Sequence, residues 1–447
     1  MKTLIHQAEI VNENSRLNGS ILIENDIISR IFREDEPVPF SDDVTVIEAN
    51  GRLLLPGIID DQVHFREPGL THKADIRSES RAAAAGGITS FMEMPNTLPQ
   101  TTTNALVRKK WAIAADSSVT NYSFYLGATN DNIEEIKAVD PSTVCGIKIF
   151  MGASTGNMLV DDEKALAGIF ASSPILVACH CEDEKTIRKN LRSYIEEYGN
   201  DLPIEYHPLI RSREACYKSS LLAVSLAREY DTKLHILHLS SAGETALFDN
   251  SVALQQKKIT SEVCVHHLWF DDTDYKQLGS QIKWNPAIKT AFDRKSLIES
   301  VNNDRIDIIA SDHAPHTLEE KGQGYTESPS GGPLVQHSLV AMLELWHNGT
   351  VSLEKIVEKM CHNPAILFNI ENRGFIREGY KADLCLVNRA SKWEVGRENI
   401  MYKCGWSPFD GQTFRSKVDL TFVNGNLVWD HNRILDDHKG ELLTFKR

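Results

Sequence analysis

Ile308-Ile309-Ala310-Ser311-Asp312-His313-Ala314-Pro315-His316 runs three apolar residues into an aspartate and closes against a proline. A short apolar run of this kind reads as a buried strand, and a carboxylate at its end needs a partner because an unpaired buried charge is costly. The pattern repeats along the chain. His64, His180 and His238 also close apolar runs, and Lys148 sits inside one.

Working outward, apolar runs of strand length fall at 53–64, 89–96, 122–129, 144–152, 175–183, 233–240, 259–267 and 307–316. Helix-forming composition fills 76–85, 104–115, 212–229 and 294–301 between them. Strand alternating with helix implies a parallel sheet. Eight such units predict an α/β fold of the (β/α)8 TIM barrel type, with an open doubly wound sheet as the structural competitor. Barrels gather catalytic groups at the C-terminal ends of their strands. The polar residues above fall at the ends of strands one, four, five, six and eight, which favours the barrel.

The two ends of the chain differ from this middle. Short β-like runs occur at 20–24 and 44–48, and again at 383–387 and 420–428, punctuated by Gly374, Gly379 and Gly425. The expected organisation is a small composite β domain made of residues 1–52 plus 366–447, packed on a barrel of residues 53–365.

The 447 residues carry a net charge of -14, which argues against nucleic acid or an anionic membrane as a partner. It leaves room for an anionic small molecule held by a local arginine. No apolar run of about 18 residues exists, so no membrane span is expected. The opening Met1-Lys2-Thr3-Leu4-Ile5-His6 lacks a signal-peptide core. The eight cysteines include no Cys-x-x-Cys pair and read as reduced core residues of a cytoplasmic protein.

In a strand, Gln62, His64 and Arg66 share one face. If that face lines the barrel, His64 reaches a metal and Arg66 reaches further up, to a substrate; otherwise Arg66 forms a surface ion pair with Glu67 or Asp75. Taken singly, His64 reads more as a satisfied histidine than as a ligand, and His180 and His238 are each ambiguous. Together with Asp312, at equivalent heights on different strands, they form a donor set suited to Zn²⁺, and less specifically to Mn²⁺ or Co²⁺. His235 has the opposite parity to His238 and reads as structural. Lys148, embedded in Cys145-Gly146-Ile147-Lys148-Ile149-Phe150, is either ion-paired with a carboxylate or carboxylated by carbon dioxide, since desolvation frees the neutral amine.

These residues carry a resemblance that covers nearly the whole chain. The chain resembles the amidohydrolase superfamily of metal-dependent barrels and, within it, the class I-type dihydroorotases. The blocks that carry it are Asp61 to Gly69, Glu93-Met94-Pro95-Asn96-Thr97, Gly146-Ile147-Lys148, His180, His238-Leu239-Ser240, Trp284-Asn285-Pro286 and 311–316. The resemblance implies one or two Zn²⁺ ions bridged by an N6-carboxylated Lys148. His180 and His238 hold one ion with Lys148; His64 and Asp312 hold the other. It implies a carboxylate site made of Arg66, Asn96 and His316, with Asn285 on the substrate ring and the loop around Gly331 offering backbone groups. It also implies reversible conversion of N-carbamoyl-L-aspartate to dihydroorotate in pyrimidine biosynthesis, with Asp312 shuttling the proton. The glycines and small polar residues of 152–157 suit a loop that closes over the site, bringing Ser154 or Thr155 to the substrate, and suit a plain connection equally.

One position departs from the family. The usual His-x-His is Gln62-Val63-His64 here. An amide oxygen is a weaker zinc ligand than imidazole, so the first metal site is left with fewer donors, unless His72 substitutes. Two other readings therefore stand beside the first: an allantoinase- or hydantoinase-like hydrolase of cyclic amides, and a catalytically impaired scaffold. Arg66 discriminates among the enzymes, because a ring carboxylate is what its planar fork of donors matches. Homo-oligomers are common among similar proteins.

Overall fold

The computed structural model describes residues 2–152 and 158–447. Its centre is a ring of parallel strands: Ile58–Val63, Ile88–Glu93, Asn121–Phe124 continued by Leu126–Gly127, Ile147–Phe150, Val177–His180, Leu234–Ile236, Ile259–Cys264 and Ile308–Ala310. Neighbours pair in parallel around the ring. A parallel bridge between Val63 and His313 closes it, with the His64 N–H donating to the His313 carbonyl at 2.7 Å. Asp60 Oδ1 strengthens the seam by accepting from the N–H groups of Gln62 and Ser311, each at 3.2 Å. The fold is the expected α/β barrel.

The helices around it start where local chemistry starts them. Ile76–Ala85 opens on a capping box between Asp75 and Ser78, and Arg213–Tyr230 opens on Ser212, whose hydroxyl accepts from the Ala215 N–H. Such caps satisfy orphan N–H groups of the first turn.

Strands from both ends of the chain interleave in one sheet. Its order is Arg433–Ile434, Asn426–Asp430, Lys417–Val423, Leu384–Asn388, Leu53–Pro56, Lys2–Asn12, Ser15–Glu24 and Ile27–Arg33, with Val44–Glu48 also paired to Lys2–Asn12. Ile5, Ile10, Ile21, Leu54, Leu384 and Leu420 fill its inner layer.

Two strand readings are corrected. The run 53–64 is two strands, because Leu53–Pro56 pairs antiparallel with Leu384–Asn388 in the terminal sheet and only Ile58–Val63 enters the barrel. Gly57 is the joint: a Cβ there would lie 2.1 Å from Thr89 Oγ1, so the two layers meet only over a glycine. The run 259–267 stops as a strand at Cys264, and Val265–Trp269 is helical. Among the described residues no helix is long and apolar enough to cross a membrane, and the eight cysteines are free thiols.

Candidate active site

The C-terminal ends of the barrel strands open into a cavity of about 320 Å³. It is lined by His64, Lys148, His180, His238 and Asp312, and also by Arg66, Asn96, Asn285, His316 and Gly331. The structure thus brings all ten residues singled out from the sequence to one cavity. A larger cavity of about 690 Å³ lies near the opposite ends of the strands, beside Leu176, Lys233 and His362, and none of the ten lines it. The smaller cavity is at the barrel face where chemistry occurs.

Two of the three histidines, His180 and His64, are oriented from behind. His180 Nε2 lies 2.9 Å from Glu182 Oε2, and Glu182 is ion-paired with Arg211. A carboxylate accepts, so Nε2 carries the proton and Nδ1 offers its lone pair to the cavity. That Nδ1 lies 3.0 Å from His238 Nε2, with the rings 81° apart. The other nitrogen of His238, Nδ1, is buried without a hydrogen-bond partner. Likewise His64 Nδ1 donates to Asn96 Oδ1 at 2.6 Å, which turns its Nε2 toward Asp312 Oδ1 at 3.2 Å. Metal-binding histidines are held in this way, the outer nitrogen tied to a carboxylate or carbonyl. Donor atoms about 3.3 Å apart also suit tetrahedral zinc with bonds of about 2.0–2.1 Å. The donor set therefore fits a divalent cation.

Lys148 is fully buried, with Nζ 4.6 Å from the centroid of the Phe150 ring. Burial pushes its ammonium down to about 8, which keeps neutral amine available for carboxylation. Burial pushes the Asp312 carboxyl up to about 7, against the pull of Lys148, His180 and Arg66. Arg66, His238 and Asp312 hold left-handed backbone, with φ of 69°, 41° and 47°. Non-glycine residues in that region cost on the order of 1–3 kcal/mol each, and such strain collects at functional sites.

Gln62 does not present its oxygen to the histidines. Its Nε2 donates to Asp312 Oδ1 at 3.2 Å, and its Oε1 faces the Cys264 thiol at 3.8 Å. His72, the alternative donor, is exposed and lies 3.3 Å from Glu320 on the outside. It does not line the cavity, so the substitution considered from the sequence is corrected.

Arg66 is buried, and its Nε donates to the Pro315 carbonyl at 3.1 Å. Its Nη2 lies 3.0 Å from His316 Nε2. The surface ion pair considered for it does not form: Glu67 accepts from the Ile76 N–H, and Asp75 caps a helix and pairs with Lys403. Asn285 Oδ1 is buried and unpartnered, a free acceptor at the cavity wall. Gly331 has φ of 124°, and a Cβ there would lie 2.5 Å from the Ala314 carbonyl oxygen. Its own N–H donates to Lys283 O and its carbonyl accepts from Lys321 Nζ, both at 2.8 Å. Its N–H is therefore already engaged, and Gly331 serves mainly to bring the loop close. Ser154 and Thr155, in the loop expected to close, lie outside the described residues.

Sequence reasoning missed the floor beneath the site. His235 Nε2 lies 3.3 Å from Glu262 Oε2 and 3.5 Å from Asp61 Oδ2, all three residues fully buried. Burial opposes the charged imidazole, but the two carboxylates outweigh it and carry His235 up to about 9. By distance alone the three could ligate a cation, yet His235 already stands between the acids as theirs. Glu262 Oε1 accepts the His238 N–H at 3.1 Å and so steadies the backbone of a cavity histidine. The sequence signal was Asp61 directly after Asp60, two successive acids in a strand buried along its whole length.

Comparison with known proteins adds a family match, two relatives and two solved structures. A model of the amidohydrolase family matches residues 53–428. A dihydroorotase of Methanosarcina mazei is 33% identical over 439 residues, covering 95% of this chain and 93% of that protein. One of Methanosphaera stadtmanae is 30% identical over 416 residues, covering 93% and 94%. Among solved structures, an L-hydantoinase from Arthrobacter aurescens superposes with a TM-score of 0.92 at 25% identity, covering 99% of both chains. A dihydropyrimidinase from Brevibacillus agri gives 0.86 at 23% identity, covering 97% and 96%, which speaks to the fold.

Proposed function

We propose that this chain, which belongs to the amidohydrolase family, is a dihydroorotase that interconverts N-carbamoyl-L-aspartate and dihydroorotate. The observation that carries the reading is the approach of Arg66 Nη2 and His316 Nε2 to 3.0 Å in the wall of the cavity that holds the histidine pair. An arginine fork buried beside a metal-type donor set matches a ring acid, whose carboxylate and reacting amide lie on one small molecule.

His180, His238 and Lys148 are the residues we assign to one divalent cation, and His64 and Asp312 to a second position. Zinc is the ion this donor set favours, and Lys148, once carboxylated, would add an anionic oxygen donor to it. When bound, the cation supplies Lewis-acid polarisation of the ring carbonyl and a water acidic enough to react near neutral pH.

The chain's own residues supply the rest. Arg66 and His316 hold the ring carboxylate, and Asn285 Oδ1 accepts from a ring N–H. Asn96 already accepts from His64, and its amide N–H groups are the ones assigned to the carboxylate. Asp312 takes the proton from the attacking water and returns it to the leaving ring nitrogen. Ring closure runs the same transfers in reverse. Phe150 and Trp284 in the cavity wall keep bulk water from the reacting face.

The likeness to the Arthrobacter L-hydantoinase favours a second reading, hydrolysis of a neutral cyclic amide. A substrate panel separates the two. Turnover of dihydroorotate with little activity on hydantoin, dihydrouracil or allantoin supports the first. Activity confined to the uncharged rings refutes it.

A further inference from the structure

We propose that Lys73 is a positioning residue: it fixes the tautomer of His316, so that His316 and Arg66 face the cavity as two N–H donors around one carboxylate. The inference rests on the reading of this cavity as the site of a ring acid, and it deepens that reading.

Lys73 Nζ lies 2.9 Å from His316 Nδ1 and 2.9 Å from Glu320 Oε1. An ammonium can only donate, so His316 Nδ1 is the acceptor and carries no proton. The ring proton then sits on Nε2, which lies 3.2 Å from the Ser330 carbonyl that receives it. The competing arrangement is a proton on Nδ1 shared with Glu320. Its Oε2 is 3.6 Å away, beyond hydrogen-bond range. Glu320 is itself held in place, accepting from the Thr317 N–H at 3.0 Å while its own N–H donates to Thr317 Oγ1 at 3.2 Å.

The consequence is a pair of donors that cannot satisfy each other. Arg66 Nη2 and His316 Nε2–H meet at 3.0 Å, and neither offers a lone pair. A carboxylate oxygen placed against both would accept from Arg66 Nη2 and draw the Nε2–H over from the Ser330 carbonyl. With Nδ1 protonated instead, Nε2 would spend its one lone pair accepting from Arg66 and would have no proton to offer the carboxylate. The charged groups around the ring are Arg66, Lys73, Lys321 and Glu320. Burial, then Arg66, hold the imidazole well below its ordinary range, with Lys73 and Lys321 adding to this and Glu320 opposing, so the ring is neutral. Lys73 lines the same cavity but is drawn back toward Glu320, consistent with a supporting role.

The test uses the full-length, metal-loaded protein with Lys73→Met and Lys73→Arg. ¹⁵N NMR of the His316 ring, assigned with a His316→Gln variant, is the first readout. The neutral Nε2–H form is expected in the wild type near neutral pH. In Lys73→Met the proton moves to Nδ1 or the ring becomes charged. Steady-state kinetics are the second readout: KM for dihydroorotate rises about tenfold or more in Lys73→Met, as for loss of a hydrogen bond to a charged group, with kcat little changed. Lys73→Arg restores both. An Nδ1–H ring in the wild type, or a tautomer or KM unaltered by Lys73→Met, overturns the proposal. A wild type that opens no dihydroorotate sinks the functional reading instead, and the NMR readout still decides the role of Lys73.

Discussion

Glu182→Gln strikes the anchor of the histidine pair from outside the cavity. Glu182 is fully buried, touches His180 Nε2 at 2.9 Å and is ion-paired with Arg211, itself only 8% exposed. Burial alone would raise this carboxyl, but Arg211 and His180 outweigh it and hold it down at about 2, against an ordinary 4.5. At 1.36 kcal/mol per unit, that difference corresponds to about 3 kcal/mol of stability. The cost of removing one partner of a buried pair, roughly 3–5 kcal/mol, is of the same order. Because the folded value lies below the unfolded one, the contribution is present above about 4.5 and drains away as pH falls toward about 2. Urea unfolding of wild type and variant should differ by about 3 kcal/mol near pH 7, with the gap narrowing clearly by about pH 3.5. The freed imidazole should also weaken metal binding by about 10–100-fold. A gap that is independent of pH, or smaller than about 0.5 kcal/mol at neutral pH, would refute the reasoning, since it would place Glu182 among ordinary surface substitutions.

Three further outcomes follow from the cavity. Arg66→Met should raise KM for dihydroorotate by about 30-fold or more, through the carboxylate left without its cation, and leave metal content intact; unchanged kinetics would remove the carboxylate assignment. Lys148→Ala should lose metal on elemental analysis and recover part of it when small carboxylic acids are added; full metal content in the variant would contradict its role as a ligand. Gln62→His should raise the number of bound ions per chain, because it replaces an amide N–H aimed at Asp312 with an imidazole lone pair. Equal metal content in variant and wild type would show that Gln62 does not limit occupancy.

The barrel and its metal-type donors were legible in the residues themselves for one reason, whereas Asn96, Asn285, His316 and Gly331 came from the family resemblance. His64, His180, His238 and Asp312 each close an apolar run, and strand ends are where a parallel barrel opens. What was not legible depends on approaches between distant segments. The apolar run through Leu53 and Ile58 has no periodicity to reveal that its two halves join different sheets; only Pro56-Gly57 interrupts it. Strand parity set His235 apart from His238, but it could not foresee the two acids from other strands that close on it. The amide of Gln62 reads as a poor ligand from composition, while its actual role depends on Asp312 across the barrel seam. Lys73 lay in an unremarked loop, and its meaning emerges only where Glu320 and His316 come to meet it.

The account rests on the donor atoms of His180, His238 and Lys148 converging on a cation. Diffraction from crystals grown with zinc, recorded on either side of the zinc absorption edge, tests this most directly. An anomalous peak is predicted between His180 Nδ1 and His238 Nε2, with Lys148 density extended by a carboxylate. A map with no peak at that place, and an unmodified lysine, would contradict it.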